Sequence, residues 1–255
     1  MQHEVIGSTM PVLEIHLDPG ESVIAVSGEL SWMTASIDMH TATQHGGGGI
    51  FGAFKRVVSG GSLFMTAYTA QSTAGTVAFA AKIPGHIVPV TVAPGQEYMI
   101  HRHGFLCGTP DAVLTVGFQQ SLGAGIFGGD GFILQRLSGN AQAWVELGGE
   151  VVSYDLAAGE SLRVHPGHVG MFESAVNFEI TRIKGIKNML FGGDGIFLAQ
   201  LTGPGRVWLQ TLTISNLAHA LAPYLPSTGG ERAANVGAGA VVGSVIGNLL
   251  SGSKD

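Results

Sequence analysis

The feature that most constrains this chain is a pattern that returns after a fixed interval. Gly125-Ile-Phe-Gly-Gly-Asp-Gly131 is followed by Met189-Leu-Phe-Gly-Gly-Asp-Gly195, 64 residues later. The same interval carries Gly85 to Gly149, Gly95 to Gly159, Leu137 to Leu201, Gly139 to Gly203 and Trp144 to Trp208. A constant interval held over that length is the mark of internal duplication. A more diverged first copy lies upstream. There Asp18-Pro-Gly-Glu21 resembles Ala93-Pro-Gly-Gln96, Gly49-Ile-Phe-Gly52 resembles Gly125-Ile-Phe-Gly128, and Ser59-Gly60 resembles Ser138-Gly139. The gap between the first copy and the second is expected around Thr66 to Lys82.

Each copy reads as short strands. Val12–Leu17, His86–Val92 and Val151–Leu156 alternate or run apolar and stop at a turn. Pro-Gly there suits a tight turn, because proline presets φ and glycine takes positive φ. Phe132–Leu137 and Ile196–Leu201 follow as strands, and Ala141–Leu147 and Arg206–Leu212 as their returns. Ser138-Gly-Asn140 and Thr202-Gly-Pro-Gly205 are expected to be hairpin loops between them. Only the end of the chain looks helical, with Ser215 as the cap of Asn216–Ala222 and Pro223 as the stop. The fold class is therefore all-β. The expected boundaries are 1–82, 83–147 and 148–214 for three β units, 215–226 for a short helix, and 227–255 for a Gly-rich tail that is flexible or helical.

Composition narrows the function. Forty glycines, 45% hydrophobic and only 12% charged residues fit many short strands with tight turns, and suggest that other subunits cover much of the surface. The formal net charge is −6 with 12 Lys and Arg and no basic cluster, which disfavours nucleic acid as a partner. The lone cysteine, Cys107, allows no intramolecular disulfide and reads as a buried, inert thiol. Residues 1–18 hold Glu4, Glu14 and Asp18 but no Lys or Arg, unlike a secretory or transit segment, so a cytoplasmic location is expected.

Gly125-Ile-Phe-Gly-Gly-Asp-Gly131 and Leu201-Thr-Gly-Pro-Gly-Arg-Val-Trp-Leu-Gln210, together with Asn216 to Pro226, resemble a widespread family of unknown function. Its fungal members are linked to mitochondrial biogenesis and inheritance, and this chain resembles a prokaryotic member. The resemblance covers roughly residues 1–226. It implies three tandem units similar in fold to the Trp RNA-binding attenuation protein (TRAP), a short double-stranded β-helix. It further implies a homotrimer that closes a ring of nine units. It supplies no catalytic residue and no cofactor. Edge strands give a physical reason for such a ring, since three fused units cap most unpaired backbone groups on each other and leave two borders.

Several residues are candidates for chemistry. Gly95-x5-His101-Arg-His103 matches the first half of a cupin metal motif. On a strand, positions 101 and 103 share a face, so His101 and His103, with His168, could hold a metal. No Glu follows at the cupin spacing, and surface or hydrogen-bonded histidines are the plainer account. Asp130 and Asp194, in the Gly-Gly-Asp-Gly loops, could bind a ligand or merely close a turn. Phe127, Phe191, Trp144 and Trp208 are interface or stacking candidates, with core packing as the plainer account. In the tail, Ala233 to Leu250 carries no charge and Gly239, Gly243, Gly247 and Ser251 recur every fourth residue. A helix there would show a smooth stripe suited to helix contact or a membrane surface. The function read from these features is a structural or binding ring. A cupin-like metal protein and an RNA-binding ring are the alternatives.

Overall fold

The computed structural model describes residues 1–41, 65–120, 131–182 and 197–224. Strands dominate. The first stretch gives β1 (Gln2–Ile6), β2 (Val12–Leu17), β3 (Ser22–Val26), β4 (Trp32–Met33) and β5 (Ile37–Thr41). The second gives β6 (Met65–Ala70), β7 (Gly75–Ala80), β8 (Gly85–Val92), β9 (Tyr98–His101), β10 (Phe105–Gly108) and β11 (Ala112–Gln120). The third gives β12 (Phe132–Gly139), β13 (Ala141–Gly148), β14 (Val151–Leu156), β15 (Ser161–Val164), β16 (Val169–Glu173) and β17 (Asn177–Arg182). β18 (Phe197–Thr202), β19 (Gly205–Gln210) and helix α1 (Ile214–Leu221) end the described chain, apart from a short 3-10 turn.

The strands form four sheets. Their orders are β1-β2-β7-β4 in sheet 1, β5-β6-β3-β10-β13-β8 in sheet 2, β11-β12-β9-β16-β19-β14 in sheet 3 and β15-β18-β17 in sheet 4. Three apolar cores lie between successive sheets. Leu13, Val23, Tyr68 and Phe79 fill the first, Ile24, Val90, Ile100 and Leu137 the second, and Leu134, Phe172, Ala199 and Leu201 the third. Alternation explains how one strand feeds two cores. In β3, Val23 and Ala25 point one way and Ile24 the other.

The ladders recur in register. β13 pairs with β8 from Ala141–Val92 to Gly148–Gly85, and β19 pairs with β14 from Gly205–Leu156 to Gln210–Val151. Each β19–β14 pair lies 64 residues beyond a β13–β8 pair. Phe105–Val145 and Cys107–Trp144 in β10–β13 recur as Val169–Leu209 and Met171–Trp208 in β16–β19, bulge included. The inner sheets are joined across their middles by β10–β3 (Cys107–Ala25, Gly108–Ile24) and β16–β9 (Met171–Ile100, Phe172–Met99).

The Pro-Gly turns form as expected, and three times. Gly20, Gly95 and Gly159 have φ of 88°, 84° and 81°. The amides of Glu21, Gln96 and Glu160 donate to the carbonyls of Asp18, Ala93 and Ala157 at 2.9, 2.9 and 3.0 Å. A positive φ near 85° is strained for any side chain with a Cβ, so glycine is required there.

Three expectations need correction. Ser138-Gly-Asn140 and Thr202-Gly-Pro-Gly205 are not hairpin loops. β12 lies in sheet 3 and β13 in sheet 2, while β18 lies in sheet 4 and β19 in sheet 3. The chain arches from one sheet to the next. Gly139 makes this possible, because its φ is 114° and a Cβ there would strike the Asp111 carbonyl oxygen. Thr66 to Lys82 is not a spacer but carries β6 and β7. The helix begins earlier than expected. Thr213, not Ser215, is its cap, with the Thr213 hydroxyl oxygen accepting from the Asn216 amide at 3.0 Å. Among the described residues, no helix is long and apolar enough to cross a membrane.

Candidate functional site

The polar groups of the inner sheets converge at the ends of β9, β13 and β19. Glu146 sits near the end of β13 at an alternate position of an apolar strand, and only 4% of it is exposed. Its Oε1 accepts from the Lys82 amide at 2.7 Å and the Ile83 amide at 3.3 Å, fixing the segment between β7 and β8. Its own amide donates to the Gly104 carbonyl at 2.7 Å. Burial raises the Glu146 carboxyl above its ordinary range, against the pull of the two amides and the Lys82 charge. Gln210 repeats the motif on β19. Its Oε1 accepts from the Gly148 amide at 2.9 Å, and its Nε2 donates to the Gly167 carbonyl at 3.0 Å.

His101 closes β9, and its Nε2 lies 2.8 Å from the Glu146 carbonyl oxygen. A carbonyl only accepts, so that nitrogen carries the proton. Burial holds the His101 pKa down to about 4, with the Lys82 and His103 charges adding to the effect, so the ring is neutral at pH 7. Lys82 Nζ is taken by Glu29 Oε1 at 2.6 Å, while Glu29 Oε2 is buried without a partner among the described residues. Lys82, Ile83, His101, His103, Glu146 and Gln210 share the lining of a cavity of about 60 Å³, room for a few water molecules. Its polar groups serve the backbone around it. The cluster fastens chain crossings.

The candidates fare differently. His101 and His103 do not share a strand face, because β9 ends at His101 and His103 stands exposed in the turn that follows, where the Gly104 amide donates to the His101 carbonyl at 2.9 Å. His168 lies in a 3-10 turn, its Nδ1 2.8 Å from the Gln210 carbonyl. Among the described residues, no three His, Cys, Asp or Glu side chains are grouped to hold a metal. Trp144 is fully buried between sheets 1 and 2, with the His3 ring 5.0 Å away, so it is a core residue and unavailable for stacking. Trp208 is half-buried, edge-on to Tyr98 at 6.1 Å and under the Arg206 guanidinium at 5.8 Å. Cys107 is fully buried, and burial pushes its thiol well up, as an inert cysteine requires. Phe127, Phe191, Asp130, Asp194 and the tail from 227 lie outside the described residues. Glu146, Lys82 and Gln210 were missed in the sequence. The usable signal was a charged residue inside the apolar run Ala143-Trp-Val-Glu-Leu147, matched by Gln210 at the repeat interval.

A family model described as "Mitochondrial biogenesis AIM24" matches residues 3–212. An uncharacterized protein of Streptococcus pyogenes serotype M6 is 26% identical over 223 residues, spanning 86% of this chain and 88% of that one. The crystal structure of a Streptococcus pyogenes protein is similar with a TM-score of 0.69 and 22% identity, covering 88% of this chain and 99% of that one. That likeness supports the fold.

Proposed function

The chain belongs to the mitochondrial biogenesis AIM24 family, and from that premise we propose that it is a structural or binding subunit, not a catalyst, with three tandem TRAP-like units per chain and three chains in a homotrimeric ring of nine units. The observation that carries this reading is the recurrence of the sheet joints. β10 meets β3 and β16 meets β9 in the same register, and among the described residues β4 and β15 are each paired on one side alone. A chain that solves its edge problem twice by one device and leaves the same two borders open is suited to repeat that device between copies.

The faces or centre of such a ring are the surfaces for a partner, and the uncharged stretch 233–250 is the segment proposed to reach a membrane surface or a protein. The location proposed is cytoplasmic. The metal reading gains nothing from a histidine pair split between a strand end and a turn, and the RNA reading gains nothing from a buried Trp144. Light scattering coupled to size exclusion tests the ring. The expected mass is three times the 26.3 kDa of the chain, and a stable monomer at micromolar concentration would remove the reading. Liposome flotation of the full chain against a chain ending at Ser227 tests the tail, and equal behaviour counts against membrane contact.

A further inference from the structure

Resting on the ring reading, we infer that sheet 4 of one copy continues into sheet 1 of a second copy through an antiparallel β15–β4 ladder, with Val164 opposite Trp32 and Arg163 opposite Met33, and that Trp32 completes the third core of its neighbour.

The register comes from the two joints inside the chain. In β10–β3 the pairs are Cys107–Ala25 and Gly108–Ile24. In β16–β9 they are Met171–Ile100 and Phe172–Met99. On the next strand along, Cys107 pairs with Trp144, Met171 with Trp208, and Trp32 with Ala78. Trp32 is therefore the counterpart of Cys107 and Met171. On the receiving side, Tyr98–Leu137 in β9–β12 recurs as Leu162–Leu201 in β15–β18. Val164 is accordingly the counterpart of Ile100, and Arg163 of Met99. The outer edge of β15 presents its amides and carbonyls in the order that β9 presents to β16.

The cores give the second, independent argument. The first core takes in Ile87, Cys107 and Trp144, and the second takes in Met171 with Val151 and Trp208 packed against it. Among the described residues, the third core contains no such trio. The matching residues by register are Val12, Trp32 and Ala78, on the face of sheet 1 turned away from the first core. Ala78 is already shielded and Val12 half-buried, whereas Trp32 is 48% exposed, unlike Cys107 and Met171 at 0% and 1%. Opposite residues in an antiparallel pair share a face. Trp32 thus turns toward the third core, to which Val164 belongs, and Met33 keeps its place against the first. The occupant of the open border is a second copy of this chain, since the chain itself carries the edge that matches the border by register.

The test uses full-length chain carrying Trp32→Cys and Val164→Cys together, oxidised and run on a non-reducing gel. Covalent trimer is expected from the double variant and monomer from each single variant. Trp32→Cys with Arg163→Cys slips the register by one, places the thiols on opposite faces and is expected to stay monomeric on the gel. No cross-link in a chain whose native mass is that of a trimer overturns this junction and spares the ring. A monomeric wild-type chain overturns both. Trp32→Ala, at a position exposed in the single chain, guards against misfolding of the double variant. It is expected to weaken trimer association about tenfold or more, and unchanged association would also overturn the junction.

Discussion

Replacing His101 by glutamine isolates one half-buried ring whose protonation the fold resists. The amide can still donate to the Glu146 carbonyl, so the 2.8 Å contact is retained while the titrating group is removed. The unfolded chain takes up a proton on this imidazole near pH 6.5, whereas the folded chain resists until about pH 4. The folded value lies below the unfolded one. The stability linked to His101 is therefore complete above pH 6.5 and declines as the pH falls toward 4, because the unfolded state binds the proton first. At about 1.36 kcal/mol for each pH decade of that gap, wild type should lose roughly 3 kcal/mol more than His101→Gln between pH 7 and pH 4. Urea denaturation followed by tryptophan fluorescence, at one fixed protein concentration and at pH 7, 6, 5 and 4, measures the difference. Other carboxylates and histidines titrate in both proteins and largely cancel. Parallel stability curves across that window would refute the reasoning. They would mean that the ring is solvated in the folded chain or reprotonates through an opening of β9.

Glu146→Ala should cost about 2–5 kcal/mol in unfolding free energy, because the Lys82 and Ile83 amides lose their acceptor. Glu146→Gln should retain most of that. Since the Glu146 pKa is raised by folding, the wild-type carboxyl favours the fold most at low pH and loses that advantage as the pH rises through its folded value, so the Gln variant gains relative to wild type as the pH rises above the ordinary carboxylate range. Equal losses in both variants would count against the acceptor role. Cys107 should resist a thiol reagent at pH 8 in the native protein and react at once in denaturant, and native-state labelling within minutes would contradict its burial. Thr213→Ala should lower stability by about 1 kcal/mol through the lost cap, whereas Ser215→Ala should change it by less than about 0.5 kcal/mol.

Local sequence spoke clearly where strands met turns. Val12–Leu17 and Val151–Leu156 have the bounds their alternation implied, and Asp18-Pro-Gly-Glu21 closes as its residue types demand. What could not be read was where the chain goes after a turn. Ser138-Gly-Asn140 looks the same whether the next strand returns to its own sheet or crosses to another, because glycine permits both. β6 and β7, Met-Thr-Ala-Tyr-Thr-Ala and Gly-Thr-Val-Ala-Phe-Ala, were overlooked because small residues dilute their alternation. β4 is two residues long, too short to carry a period at all. His103 falls outside β9 because the strand ends two residues before it, and no residue type at Arg102 announces that end. Thr213 and Ser215 are equally good caps by residue type, and it is the Thr213 hydroxyl that accepts from the Asn216 amide.

The arches at Gly139 and Gly203 have a consequence for anyone who would dissect this molecule. Each sends consecutive strands into different layers, and sheet 2 is owned jointly by strands from before Lys82 and after it, and sheet 3 by strands from either side of Gly148. A scissile point near Lys82 or Gly148 would tear a sheet down its centre, exposing the backbone of β3 and β10, or of β9 and β16. The boundaries that the sequence spacing suggests are therefore the poorest places to cut.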